Sequence, residues 1–471
     1  MDHRTEIVHR IDDIIDHYMV ISIFMALFIL TWVGVGDVSI VCVLGLILCA
    51  AGCSGRCGQT DLRVLIPLVV YDLANMVSSY AAYGNITDGY GALHLIFPVL
   101  YLLMSCLEKG ELLLLRRLCV VWAGITAAAG IISFVFRAVT RGSAARLGGF
   151  LGNPNALGIF LVVGWFLLMN CLEEQHKQEE QRTGWHSALP YAEPVLLIGL
   201  ALTLSMGSFV AMAAGISAVL IMKCTGKKAE LSVRETARFA CRILARASLG
   251  VGTGILFYLA ASRTSVPQIC LLLFVYAAAV VILWKKYDLF LQVYPKMAAG
   301  ISAVGILVAG AAVVVRPSSV ATFSERLQMM RNGIGYLTAN PLLGVGPYRW
   351  RILNLQDGDI YFNTWHIHNV PIHVGVEFGW IAMGMLILVV VGFFRKKAEL
   401  WRKAGFTAFC IHNMMDTGFF YMGITTLAML AFGNPSERGK RLKSGALKIC
   451  FGVFAALFAF HLCFYAVHFN R

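Results

Sequence analysis

Two segments of the chain, 137–149 and 316–371, contain arginine and no lysine. The first carries Arg137, Arg141 and Arg146; the second carries Arg316, Arg326, Arg331, Arg349 and Arg351. A guanidinium is a planar fork that pairs with phosphate oxygens two at a time, which an ammonium cannot do. The cluster points to an anionic ligand such as a lipid phosphate. Ordinary anionic headgroups, or a long side chain reaching toward water, would explain any one of these arginines. The second segment closes on Trp365-His366-Ile367-His368-Asn369. A neutral imidazole near pH 7 suits a general base, or an acceptor that orients a hydroxyl. His368 is the candidate for that role, with Asn369 beside it as a positioning group and His366 and His373 as weaker choices. A histidine that caps the following helix is the plain alternative. No metal is expected, because His-x-His puts its two rings off any common helical face and no carboxylate completes a usual zinc spacing.

These side chains need a scaffold, and composition says of what kind. Hydrophobic residues are 58% of the 471 and charged residues 14%, against roughly 25% charged in soluble domains. A soluble fold cannot bury that much apolar surface, so the expectation is an all-α, polytopic membrane protein. Apolar runs of spanning length lie near 18–36, 38–53, 64–83, 92–107, 115–136, 150–172, 191–205 and 208–222. Further runs lie near 247–261, 266–284, 296–315, 372–394, 404–416, 418–433 and 447–466. Several are short, which gives about 12–15 transmembrane helices. The first 17 residues are polar and no cleavage site follows the first run, so that run reads as an anchor. Ile7, Ile11, Ile14 and Ile15 fall at helical spacing, which suits a surface helix over 5–16.

The net charge of +13 is mostly topology rather than a nucleic-acid footprint. With the N-terminus inside and alternating spans, the inner segments hold roughly 29 of the 39 Lys and Arg. That orientation puts both arginine segments outside. The cysteines fall mostly within spans and read as small packing residues. Three regions follow: an N-terminal transmembrane bundle over 1–315, an extracytoplasmic catalytic loop over 316–371, and C-terminal transmembrane helices over 372–471.

The loop is about 56 residues long, and loops of that length usually carry function. Thr322 and Glu325 fit a capping box, Pro341 ends the segment, and Phe323, Leu327, Met330, Ile334 and Leu337 share one face. This predicts an amphipathic helix in the membrane interface. Pro341-Leu342-Leu343-Gly344-Val345-Gly346-Pro347 predicts a turn, in which Gly either lets a backbone approach a ligand or simply allows the turn. Gly148 to Gly158, centred on Asn153-Pro154, predicts an irregular or re-entrant start to a span, and Ser205-Met206-Gly207-Ser208 a tight turn. Asp72, Glu377, His412 and Asp416 are ionisable groups inside spans and therefore functional suspects. Glu377 would pair with a site arginine or hold the loop. His412 and Asp416 would satisfy each other on one helical face, and Asp72 would pair with an arginine.

In order, Ser324-Glu325-Arg326, Asn340-Pro341-Leu342-Leu343-Gly344-Val345-Gly346, His368-Asn369 and Glu377-Phe378-Gly379 resemble the O-antigen ligase and polymerase superfamily of membrane glycosyltransferases. Gly152-Asn153-Pro154-Asn155 resembles the family's earlier signature, so the resemblance runs from about 148 to 432. The resemblance implies an all-helical fold like that of the membrane glycosyltransferases, sited in a bacterial cytoplasmic membrane. It implies transfer of a glycan from an undecaprenyl-pyrophosphate carrier to an acceptor hydroxyl at the outer face, without metal or other cofactor. The acceptor would be a lipid-linked core in ligases and the growing glycan in polymerases. An arginine pair would hold the pyrophosphate and a loop histidine would assist the acceptor. On that basis Arg326 and His368 are the catalytic candidates, and Arg331, Arg137, Arg141, Arg146, Asn369, Glu377 and His366 the substrate-binding ones. One departure stands out: Met206 occupies the place of a family arginine, so Arg137, Arg141 or Arg146 would have to substitute. A polysaccharide or lipid transporter is the competing class. It would call for inverted repeats and broken helices near the midplane, and no clear repeat is visible.

Overall fold

The computed structural model describes residues 17–54, 58–141, 145–177, 188–225, 233–263, 267–314, 318–356, 364–395, 398–433 and 440–469. The expected surface helix over 5–16 and Arg316 lie outside these residues. The chain runs through α1 (Tyr18–Val33), α2 (Val38–Gly52), α3 (Leu62–Tyr83), α4 (Gly91–His94), α5 (Ile96–Ser105) and α6 (Lys109–Arg141). It continues through α7 (Pro154–Lys177), α8 (Ala192–Thr203), α9 (Met206–Thr225), α10 (Val233–Arg263), α11 (Pro267–Val293) and α12 (Pro295–Val314). The last group is α13 (Ser318–Ala339), α14 (Arg349–Gln356), α15 (Val370–Arg395), α16 (Leu400–Asn413), α17 (Met422–Phe432) and α18 (Ser444–Phe469).

Eight of these helices are long and apolar enough to cross a membrane, and six shorter apolar helices accompany them. The protein is thus a helical, multi-pass membrane protein. Among the described residues, a pair of three-residue strands accompanies the helices, Gly58–Thr60 against Lys440–Leu442, antiparallel.

By internal contacts the chain divides into two compact units. Unit 1 comprises residues 1–118, 328–398 and 419–471; unit 2 comprises 119–327 and 399–418. In unit 1, α3 packs on α15 and α2 on α18. The second pairing relies on small residues: a Cβ on Gly45 would come within 2.4 Å of the Phe458 ring, and one on Gly52 within 2.5 Å of Phe451. Helices in lipid gain no hydrophobic drive from meeting each other, so close backbone approach of this kind is what holds them.

In unit 2, α10 packs on α8 and α12, and α16 on α7 and α9. Its buried charges are paired. Glu193 of α8 accepts from Arg246 of α10 and from the indole N–H groups of Trp165 at 3.3 Å and Trp284 at 3.0 Å. Asp288 of α11 accepts from Arg242 at 2.7 Å and Arg246 at 3.4 Å. An unpaired charge at such depth would cost several kcal/mol, so each acid here has its base. Asp72 departs from that rule and from its expected pairing with an arginine. It is 2% exposed and makes no ion pair among the described residues.

Candidate active site

In unit 2 the site grows from two helix starts. Asn153 Oδ1 accepts from the backbone N–H of Asn155 at 2.8 Å and Ala156 at 3.3 Å. Pro154 is the first residue of α7, where its missing N–H costs nothing. The Asn-Pro pair is therefore a cap and first position, preceded by a 3-10 turn at Gly149–Leu151, which is an irregular start to the helix. The second start follows Leu204, in the left-handed region at φ 49°; the Ser205 hydroxyl then accepts from Ser208 N–H at 3.4 Å.

The α7 cap leaves the Asn155 side chain between two charged groups. Its Oδ1 accepts from Arg146 at 2.7 Å, and its amide donates to Asp416 at 2.9 Å. Arg146 also donates to the Thr203 carbonyl at the end of α8, at 2.9 Å. Arg326, on α13, donates one nitrogen to the Met415 carbonyl and another to Asp416 at 3.3 Å. The other Asp416 oxygen accepts from Thr417 N–H at 2.9 Å. The result is a continuous chain, Arg146–Asn155–Asp416–Arg326. Asp416 is 6% exposed and Arg326 19%, so the network is buried with its arginine end reachable.

His412 lies beside it, fully buried, with its ring 3.7 Å from where a Cβ on Gly207 would stand. It does not share a helical turn with Asp416 as expected, because α16 ends at Asn413. Of the three arginines offered as substitutes at the Met206 position, the structure brings only Arg146 into the network. Arg137 turns back to the Ser133 carbonyl of its own helix at 3.4 Å, and Arg141 is exposed at the end of α6.

In unit 1 the loop turn and α15 are one construction. Gly379 has φ 84° and ψ 177° inside α15, which breaks its hydrogen-bond ladder. The freed groups would be costly in lipid, and the turn satisfies them. Val345 N–H donates to the Val376 carbonyl at 2.8 Å, Gly346 N–H to the Glu377 carbonyl at 3.1 Å, and Trp380 N–H to the Pro341 carbonyl at 2.8 Å. Backbone meets backbone so closely that a Cβ on Gly379 would lie 2.0 Å from the Leu342 oxygen, and one on Gly344 2.4 Å from the Glu377 carbonyl carbon. The glycines let the chain approach itself.

Behind this clasp lie the histidines. Asn369 Oδ1 caps α15 by accepting from Ile372 N–H at 3.1 Å, so the cap is Asn369 rather than its neighbour His368. His373 and Glu377, one turn apart and fully buried, approach to 3.5 Å. The start of α14, at Tyr348 and Trp350, lies near the Glu377 carboxylate, whose two oxygens make no hydrogen bond among the described residues. Glu377 thus meets a histidine and a helix start, and no arginine ion pair among the described residues. His366 bonds the Tyr90 hydroxyl at 2.8 Å, stacks on Phe420 at 4.5 Å and meets His373 edge-on at 5.0 Å. This enclosure pushes the His366 pKa down to about 3, with neighbouring His368 adding to the effect of burial. His368 itself is half-buried.

The amphipathic helix is present as α13, and its expected stripe divides between the core and the outside. Met329 and Leu337 are buried with Trp350, Ile367 and Val376, while Phe323, Leu327 and Ile334 are exposed. The inward face is legible afterwards in Gly333, whose missing side chain admits Ile367. Arg331 is exposed. Helix α14 and Tyr90 were not foreseen. Trp350 and Asn354, the buried positions of α14, are too few to show a period, and a lone tyrosine carries no signal. Among the described residues, no group of three or more His, Cys, Asp or Glu side chains is disposed to hold a metal ion.

Residues 248–387 match the O-antigen ligase family, and this stretch is an O-antigen ligase family domain of the protein. It contains Arg326, Arg331, the Gly344–Gly346 turn, His366, His368, Asn369 and Glu377; Arg146, Asn155, His412 and Asp416 lie outside it. No curated protein matches the chain.

Proposed function

We propose that this membrane protein transfers a glycan from an undecaprenyl-pyrophosphate carrier to an acceptor hydroxyl, at the outer face of a bacterial cytoplasmic membrane. The observation that carries the reading is the Arg146–Asn155–Asp416–Arg326 network. Guanidiniums outnumber carboxylates in it. Fixed donors of that kind stabilise charge that develops on a leaving pyrophosphate, because they need not reorganise when it appears. The acceptor oxygen attacks the carbon joined to the pyrophosphate, that carbon–oxygen bond breaks, and undecaprenyl pyrophosphate departs with the electron pair. The hydroxyl proton passes to His368, which is neutral when it acts as base. Arg326 serves as the electrostatic catalyst and Arg146 holds the second phosphate position that Met206 leaves empty.

Asp416 and Asn155 position the two arginines. Asn369 and Glu377 position the loop, the first by capping α15 and the second through its backbone carbonyl, which accepts from Gly346 N–H. His366 supports His368 from two residues away, and Arg331, Arg137 and Arg141 meet the anionic membrane surface or carrier. The reaction as written uses no metal. The choice between a ligase and a polymerase rests on the acceptor, which these residues do not specify.

The break at Gly379 is the one observation that favours a transporter, since broken helices often line ion sites. Its freed Val376 and Glu377 carbonyls are already taken by the loop turn, so the broken backbone is closed by protein rather than open to a passing ion. The deciding experiment is transfer from a defined undecaprenyl-pyrophosphate glycan by purified protein, with Arg326→Ala and His368→Ala beside wild type and chelator added to each. Transfer that both substitutions abolish and chelator spares supports the reading. Undiminished transfer by Arg326→Ala removes the network from the chemistry, and loss in chelator restores a metal.

A further inference from the structure

Ile367 stands between the two loop histidines, His366 and His368, and every group it offers is held. Its side chain is fully buried with Met329, Leu337, Trp350 and Val376, in space that Gly333 leaves open. Its carbonyl accepts from Asn369 N–H at 2.7 Å. Its own N–H donates to His373 Nδ1 at 3.3 Å, a bond that ties the loop to the first turn of α15.

These two hydrogen bonds fix two different peptide planes. The N–H lies in the plane that joins His366 to Ile367, and the carbonyl in the plane that joins Ile367 to His368. A peptide plane is rigid, and the chain turns only at the two torsions of the Cα between planes. With both planes held, those torsions are set, and so is the Cα of the histidine on either side. The Asn369 bond runs from backbone to backbone within the turn. The other bond depends on one side chain.

That side chain has a single way to make it. A backbone N–H only donates, so His373 Nδ1 is bare, and the neutral imidazole carries its proton on Nε2. Nε2 is on the side of Glu377, whose Oε2 lies 3.5 Å away, and a carboxyl oxygen there favours the protonated nitrogen over a bare one. The ring is fully buried, and His366 and Phe420 each meet it edge-on at 5.0 Å. Neither nitrogen is open to a substrate proton, since the lone pair of one is engaged and the other is already protonated. His373 therefore drops out as a base and stands as a brace. We propose that His373 is a positioning residue: its Nδ1 holds the Ile367 N–H, and through that peptide plane it fixes where His368 meets the acceptor hydroxyl. This rests on the glycan-transfer reading above.

The test compares His373→Asn, whose amide oxygen reaches the Nδ1 position, with His373→Gln, whose amide lies out at the Nε2 position. Both are made in the full-length protein in nanodiscs. Hydrogen exchange at the Ile367 amide should quicken about tenfold or more in His373→Gln and stay within about threefold of wild type in His373→Asn, while α2 exchanges as in wild type in both. In transfer from the undecaprenyl-pyrophosphate glycan, His373→Gln should lower kcat about tenfold with the donor KM within about twofold, and His373→Asn should keep most of the rate. With His368→Ala already present, His373→Gln should cost less than about twofold more, since no base is left to position. Equal losses with and without His368 overturn the proposal, as do equal damage by the two variants and unchanged Ile367 exchange in His373→Gln. The exchange arm needs no turnover. Ile367 exchange as expected with no transfer by wild type would sink the transfer reading and leave His373 as the brace of the loop.

Discussion

In unit 2, Arg326, Asp416 and Arg146 are tied together by hydrogen bonds, with Asn155 as the link. In unit 1, His366, His373 and Glu377 are enclosed by Tyr90, Phe420 and the backbone of the loop turn, and the only ion-pair distance among them is the 3.5 Å between His373 and Glu377. The same requirement, satisfying polar groups away from water, is met by opposite means. Charge survives burial where an opposite charge and an amide are built in beside it. Where only aromatic rings surround an imidazole, neutrality is the cheaper state. The first arrangement suits an anionic leaving group and the second a hydroxyl that must surrender a proton, which is why the two regions take different roles in the proposed reaction.

The contrast breaks most visibly at Arg326. Arg326→Ala is expected to lower transfer about a thousandfold, on the scale of removing a donor from an oxyanion site. Arg326→Lys should still lose at least about tenfold, because one ammonium cannot hold the Met415 carbonyl and Asp416 together as the two guanidinium nitrogens do. Initial rates from a lipid-pyrophosphate donor decide it, and full activity in the lysine variant would mean the fork is irrelevant. Next comes unit 1. His368→Ala should cost about a hundredfold, the range of general-base catalysis, with the donor KM unchanged. A change in donor KM alone would place His368 with the phosphates and erase the distinction between the regions.

Gly379→Ala sharpens the comparison by stability instead of rate. A Cβ there would sit 2.0 Å from the Leu342 oxygen on a backbone at φ 84°, so the clasp must open. A loss of about 3 kcal/mol is expected, read as a lowered thermal midpoint in detergent. This clasp also shows how much of the molecule the sequence made legible. Apolar runs announced the spans because lipid demands them, and Pro341 to Pro347 announced a turn because glycine and proline leave few alternatives. What remained hidden was the partner. Gly344-Val345-Gly346 and Glu377-Phe378-Gly379 are some thirty residues apart in the chain, and only the folded backbone shows that each exists for the other. The stripe on α13 hid its inward half for a related reason: in lipid the exposed face of a helix is apolar too, so the sequence does not separate Phe323, Leu327 and Ile334, which are exposed, from Leu337, which is buried. Asp416 stood out as a charge within a span, but Asn155, and Arg146 through it, became its companions only when the cap on Asn153 started α7 at that point.

A smaller effect separates the arginines. Arg146→Ala should reduce transfer about tenfold, since it reaches the proposed phosphates from the far end of the network and Arg326 remains. Arg137→Ala and Arg141→Ala should stay within about twofold, the effect of a surface charge on a membrane-bound carrier. Equal losses at all three would mean that the 137–146 segment acts by bulk charge, and the hydrogen-bonded chain to Asp416 would lose its meaning.

The smallest effect concerns protons in unit 1. His366 is held down to about 3 in the fold, chiefly by burial, and titrates near 6.5 when unfolded. Between those values the unfolded chain binds the extra proton, so stability is greatest above pH 6.5 and falls steadily as pH drops toward 3. Replacing the imidazole with a ring that cannot take a proton removes that slope. His366→Phe should therefore flatten the acid side of the thermal midpoint against pH by a few degrees, while transfer between about pH 6 and 8 keeps its pH profile, because His366 is neutral throughout that range. An unchanged acid slope would show that the aromatic enclosure is not what keeps this imidazole uncharged, and neutrality by burial would then fail as the description of unit 1.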